Sequence, residues 1–183
     1  VKMYVCGVTV YDDSHLGHAL SSIAFDVLDR YLEYRGYKVR KVQNFTDVDD
    51  KIINRASEDD VPWEEITEKY IESFYESIDG LNVRRATVHP RATEDMPEII
   101  DLIQRLVDGG SAYELNGSIY YRVRNKADYG KLSGQNIDEM LEASRHDLED
   151  GKEDPADFAL WKAVKPEEPK WDSPWGPGRP GWH

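Results

Sequence analysis

His15-Leu16-Gly17-His18 comes shortly after the apolar run Tyr4-Val5-Cys6-Gly7-Val8-Thr9-Val10 and opens a long amphipathic stretch. Imidazoles donate to phosphate oxygens and hold or lose a proton near neutral pH. A helix start adds unpaired N–H groups and the positive end of the macrodipole. Gly17 lets a flat or anionic ligand come close to the backbone. Together these residues can bind a nucleotide phosphate. Cys6, the chain's only cysteine, lies in this run toward the C-terminal end of the strand, which is where open α/β sheets bind their ligands. A four-residue motif is a weak signal alone; a strand before it and a helix after it give it weight.

The elements that must position these groups can be read from periodicity. Val1 to Val10 reads as a strand. From about Gly17 to Tyr34, Leu20, Ile23, Ala24, Val27, Leu28, Tyr31 and Leu32 recur at helical spacing, with Asp26, Asp29, Arg30 and Glu33 mostly opposite. Gly36 is a C-terminal stop, and Tyr37 to Phe45 alternates as a second strand. Strand, helix and strand at this length predict a βαβ unit and a parallel sheet. Helices follow from Lys51 to about Ala56 and from Pro62 to Ile78, the second with Trp63, Ile66, Tyr70, Ile71, Phe74 and Ile78 on one face. Thr93-Glu94-Asp95 signals a further helix ending near Gly109-Gly110. Asn116-Gly117 joins two short β-prone runs, a strong hairpin signal. An acidic stretch from Asp138 to Asp157 carries a short amphipathic helix around Met140 and Leu141. Phe158 to Lys162 and a Pro-, Trp- and Gly-rich tail complete the chain, with Trp161, Trp171 and Trp175 assigned to packing.

The 183 residues, 39% hydrophobic and 32% charged, fit a globular protein with a real core, of one domain or one domain carrying an insertion. No apolar run is long enough to span a membrane, and no signal peptide is visible, so no membrane partner is expected. A single cysteine excludes an intramolecular disulfide framework and fits a reducing, cytoplasmic setting. The net charge of -13 argues against non-specific nucleic-acid binding by the whole chain. The basic clusters Lys38, Arg40, Lys41 and Arg84, Arg85 read as solvated surface.

Several stretches in order along the chain resemble cysteinyl-tRNA synthetases, a family of class I aminoacyl-tRNA synthetases. They are Tyr4 to Gly7, Thr9 to Asp12, His15 to His18, Asn44-Phe45-Thr46-Asp47-Val48-Asp49-Asp50-Lys51 to Ala56, Pro90 to Thr93, Phe158 to Lys162 and Ser173 to His183. Val8 stands where the family often has proline, and Leu16 replaces an isoleucine of its HIGH signature. The resemblance implies an α/β fold: a partial Rossmann-like (HUP-type) parallel sheet with helices on both faces, plus a small connective-peptide insertion with a β-hairpin. It divides the chain into 1–109, the first part of the catalytic domain, 110–176, the insertion, and 177–183, a return to the catalytic domain. The implied activity is ATP-dependent activation of cysteine to cysteinyl-adenylate, then transfer to tRNA-Cys.

The site residues follow by the same resemblance. His15 and His18 are the catalytic histidines, and with Thr9 and Gly17 they bind ATP. Gly7, Thr46 and Trp182 contact the amino acid, with His183 beside Trp182, and Cys6 is a zinc ligand. Zinc would bind the thiolate of substrate cysteine and reject serine, whose hydroxyl is a poor soft-metal ligand. The other zinc ligands, the KMSKS loop and the anticodon-binding domain would lie beyond His183, so these residues alone are expected to be metal-poor and nearly inactive. ATP with Mg2+, L-cysteine and tRNA-Cys are the expected substrates, and a monomer the expected state. Asp47, Asp49 and Asp50 read as helix-dipole partners rather than a magnesium site. Tyr11 and Asp12 lie beside the site. Three rival readings stay open: the cysteine:glucosaminyl-inositol ligase of mycothiol synthesis, a small nucleotidyltransferase, and a non-catalytic nucleotide-binding paralogue.

Overall fold

β1 (Lys2–Val5) and β2 (Arg40–Gln43) pair in parallel, joined by α1 (Leu16–Tyr34), so the expected βαβ unit is present. A computed structural model describes residues 1–134, 136, 151–166 and 168–182. The expected helix around Met140 and Leu141, and His183, lie outside the described residues. Further elements are α2 (Asp50–Asp59), α3 (Trp63–Gly80), α4 (Met96–Asp108), β3 (Ala112–Leu115), β4 (Ser118–Tyr121), a 3-10 turn (Val123–Asn125), β5 (Phe158–Ala163) and β6 (Gly178–Pro180). The chain groups into two compact units, Val1–Asp95 and Met96–His183.

In the first unit the parallel pairing reaches beyond the named strands. Parallel bridges link Thr9 to Thr46, Val42 to Val88 and Phe45 to Arg91. β2 therefore lies between β1 and the extended stretch around Val88 to Arg91. The β1 strand is shorter than Val1 to Val10, because at Gly7 the chain leaves β1 against the carbonyl of Asn44. The core is built by α3, whose Ile66, Tyr70, Ile71, Phe74 and Ile78 pack with Val10, Phe45 and Ile52. That is the stripe the sequence predicts. Asp49 caps α2 by accepting the Lys51 N–H at 2.9 Å. Asp47 is buried and accepts the Thr93 N–H (3.1 Å) and hydroxyl (2.5 Å).

Within these 183 residues α1 turns polar side chains, and not its apolar stripe, toward the rest of its unit. Its buried residues are Ser22, Asp26 and Asp29, whereas Leu20 is 72% and Val27 61% exposed. A network of charges lies under the helix. Asp26 accepts the Arg84 N–H at 3.0 Å and Arg30 Nε at 2.7 Å. Lys41 lies 3.6 Å from the Asp29 carboxylate and donates to the Arg84 carbonyl at 2.8 Å. Buried charges persist only when paired and hydrogen-bonded, as these are. Lys41 is thus buried rather than part of a solvated cluster, while Arg84 and Arg85 stay exposed in ion pairs with Glu33 and Asp79.

The second unit holds an antiparallel sheet of order β3-β4-β5-β6, with α4 packed on β3. Asn116 (φ 53°) and Gly117 (φ 80°) both adopt left-handed backbone, as a tight hairpin of this kind requires. Trp161 is fully buried in the sheet and meets Trp175 edge to face. The division at 95/96 places α4 with this sheet, whereas the sequence suggests a boundary after residue 109. The segment 177–183, expected to return to the first domain, supplies β6, which pairs with β5 from Trp161↔Pro180 to Ala163↔Gly178.

Candidate active site

Apolar alternation carries β1 to Val5, buried at 4%; the next residue, Cys6, is exposed at the C-terminal end of the strand. Gly7 follows in a place with no room for a side chain, since a Cβ there would fall 1.5 Å from the Asn44 carbonyl oxygen. This close approach joins the ends of β1 and β2. Asn44 reinforces it: its Oδ1 accepts the Gly7 N–H at 2.8 Å and the Tyr4 hydroxyl at 2.9 Å, and its Nδ2 donates to Thr46 Oγ1 at 3.4 Å. Thr46 donates its N–H to Val8 (3.0 Å) and accepts from Val10 (3.3 Å), which holds Thr9 opposite it. Cys6, Gly7, Thr9 and Thr46 are thereby gathered at one end of the parallel strands.

The histidines form a group of their own at the start of α1. His15 is the N-cap residue, and its Nδ1 accepts the Gly17 N–H at 3.0 Å. In return the His15 backbone N–H points to His18 Nδ1 at 3.4 Å. Because Nδ1 of each ring accepts, each neutral ring carries its proton on Nε2. Two Nε2–H donors thus remain for a ligand, beside a helix N-terminus with no acidic residue in its first turn. Burial, followed by the charge of His15, holds the His18 pKa below the ordinary histidine value. Gly17 has a reason of its own: a Cβ there would meet His15 Cε1 at 2.8 Å and Nδ1 at 3.0 Å, displacing the capping ring.

Among the described residues no three His, Cys, Asp or Glu side chains gather into a group able to hold a metal ion. Cys6 offers one thiolate, whereas a catalytic zinc needs about three protein ligands; the residues present do not by themselves fit zinc. Asp47 is committed to Thr93 and Asp49 to capping α2, so their carboxylates serve the fold. Trp182 lies in the second unit, just past β6, and is 37% exposed. An open groove along α3, lined by Glu65, Glu68, Tyr75, Arg85 and Arg91, has ion pairs of its own, Arg91 with Glu68 and Arg85 with Asp79.

Sequence reasoning gave Asn44 no role, although it joins three site segments. The signal was its position: a side-chain amide directly after an apolar strand, at the same sheet end as Cys6. Tyr4 was missed too. Burial, then the charge of Cys6, raises its phenol pKa.

The sequence profile of the family described as tRNA synthetases class I (C) catalytic domain matches residues 1–183. Curated relatives include proteins named Cysteine--tRNA ligase. That of Caldicellulosiruptor saccharolyticus is 56% identical over 183 residues, covering 100% of this chain and 39% of the relative. That of Desulforamulus reducens is 56% identical, with 100% and 38% covered. That of Francisella philomiragia is 54% identical over 184 residues, with 100% and 40% covered. The chain thus spans about two fifths of the length of these relatives.

Proposed function

The chain belongs to the catalytic-domain family of class I (C) tRNA synthetases, and from that premise we propose that the polypeptide containing it activates cysteine with ATP and transfers it to tRNA-Cys. The observation that carries the reading is the paired-histidine cap at the start of α1, with two Nε2–H donors on a helix N-terminus that has no acidic residue in its first turn. A triphosphate, carried as its Mg2+ complex, suits those donors. In the activation step the cysteine carboxylate attacks the α-phosphorus, the bond to the β-phosphate oxygen breaks, and pyrophosphate leaves. No general base is required, because the nucleophile is already ionised. His15 and His18 would hold the polyphosphate and stabilise the charge that develops on it. Thr9 and Gly17 would border the nucleotide, and Gly7 and Thr46 the amino acid.

Gly7 serves this role through its position, because its N–H is already given to Asn44. The finer fold assignment belongs with the same proposal: a Rossmann-like sheet with helices on both faces, and 110–176 as a connective-peptide insertion. So do the cytoplasm as its location and the monomer as its state. Among the described residues no helix is long and apolar enough to cross a membrane. Zinc would require donors in addition to Cys6, and the 183 residues alone should retain little metal after dialysis.

The deciding experiment is cysteine-dependent exchange of labelled pyrophosphate into ATP by the complete polypeptide, followed by charging of a tRNA-Cys transcript. Exchange stimulated by cysteine and not by serine, with charging, supports the reading. Exchange indifferent to cysteine favours a nucleotidyltransferase, and activation without charging favours a ligase acting on a different acceptor amine.

A further inference from the structure

We propose that Asn44 is a positioning residue: its side-chain amide locks the turn after Cys6 to Thr46 and turns the Thr46 hydroxyl proton outward, toward the amino-acid substrate. The inference rests on the cysteine-activation reading and adds a residue and a polarity to it.

The direction of each bond follows from what can donate. The Gly7 N–H is only a donor, so the Asn44 atom 2.8 Å from it is the oxygen. That fixes the amide orientation and leaves Nδ2, also only a donor, facing Thr46 Oγ1 at 3.4 Å. Thr46 Oγ1 therefore accepts from Asn44, and its own proton is directed elsewhere. The Thr46 backbone is already engaged with the neighbouring strand, since its N–H goes to Val8 and its carbonyl accepts from Val10. Thr46 is 9% exposed, so its hydroxyl proton needs a partner, and a bound amino acid supplies one. The Tyr4 hydroxyl, 2.9 Å from Asn44 Oδ1, is a second donor to the same oxygen and steadies the amide.

Aspartate is nearly the same shape, yet it would reverse this polarity. In Asn44→Asp one carboxylate oxygen keeps both Oδ1 bonds, while the other would draw the Thr46 proton inward. A residue that merely fastened the strand ends would tolerate the change; one that aims Thr46 would not.

The experiment measures pyrophosphate exchange by the complete polypeptide as wild type, Asn44→Asp, Thr46→Val and the double variant. A rise of about tenfold in KM for cysteine is expected for N44D, the size of one lost hydrogen bond, with KM for ATP within about twofold. Thr46→Val should raise KM for cysteine similarly, and N44D should add nothing in the T46V background. If N44D does not fold by thermal melting, Asn44→Ser, which removes the Nδ2 donor to Thr46 without adding a charge, is read on the same KM for cysteine, alone and with Thr46→Val. An unchanged KM for cysteine, or effects that multiply in the double variant, would overturn the proposal. A wild-type enzyme lacking cysteine-dependent exchange would instead sink the activation reading, and this proposal with it.

Discussion

The imidazoles of His15 and His18 stack with 3.8 Å between ring centroids and 22° between planes. Each uses its Nδ1 to satisfy a backbone N–H of the first turn, His15 that of Gly17 and His18 that of His15. Protonating His18 at Nδ1 would remove an acceptor from the cap and place a cation beside its neighbour. Burial, the largest cause, and the charge of His15 both lower its pKa. Because the folded value is depressed, the unfolded chain binds the proton more tightly. The stability contributed is present above about pH 6.5, the ordinary histidine value, and is lost as pH falls through the folded value. Proton NMR titration should place the His18 midpoint below that of a free histidine, and His15→Ala should move it up. A midpoint at or above the free value would rule out this account of the cap.

Gly7→Ala should be among the most damaging small substitutions in the first unit. The added Cβ would stand 1.5 Å from the Asn44 carbonyl oxygen, so backbone must move. Separating the ends of β1 and β2 would also break the Gly7–Asn44 bond. A loss of about 3 kcal/mol is expected in urea unfolding, in the range of strain at a special backbone position. A loss below about 0.5 kcal/mol, the level of an ordinary surface change, would mean the strand ends are not packed this closely.

Within these 183 residues the burial of α1 makes a prediction opposite to the one its hydrophobic pattern suggests. Leu20→Lys and Val27→Lys replace exposed side chains and should change the stability of these 183 residues by less than about 0.5 kcal/mol. Asp26→Leu, which the pattern would favour, should cost about 2 kcal/mol, because the Arg84 N–H loses its buried acceptor and Arg30 its partner. Chemical denaturation of the three variants decides between the two orientations. A destabilising L20K with a neutral D26L would put the helix the other way round.

That contrast also shows where the sequence was legible. α3 announced its buried face because Ile66, Tyr70, Phe74 and Ile78 meet other apolar side chains in the same unit, so local periodicity and packing agree. The hairpin was legible because Asn116-Gly117 states its own backbone geometry. The histidine pair was readable as the start of a helix, and the structure added which nitrogen of each ring is spoken for. What stayed hidden depends on partners far apart in sequence. Lys41 looked like surface until Asp29 and the Arg84 carbonyl were seen beside it. Asn44 looked like a strand end until Tyr4, Gly7 and Thr46 converged on its amide. The division at residue 95/96 rests on α4 packing with β3, which composition alone does not signal.

In the second unit, Tyr113 should ionise far later than an ordinary tyrosine. It is 8% exposed, its hydroxyl donates to Asp157 at 3.0 Å, and it accepts the Glu153 N–H at 2.9 Å. Burial above all, and with it the Asp157 carboxylate that opposes the phenolate, push its pKa from 10.0 up to about 12. A folded value above the unfolded one means that Tyr113 contributes stability that is whole below about pH 10 and lost as pH rises toward 12. Asp157 carries more than this bond, since it also accepts the N–H groups of Val123 (2.9 Å) and Asp154 (3.2 Å). Ionising Tyr113 therefore sets two negative charges together at a junction that ties β3 to the turn after β4. Difference titration by tyrosinate absorbance, wild type minus Tyr113→Phe, isolates the one group and should give a midpoint well above 10. Asp157→Asn should lower that midpoint by removing the neighbouring charge. A wild-type midpoint near 10 would show that the phenol is solvated and that the Tyr113–Asp157 contact does not hold the sheet to its turn.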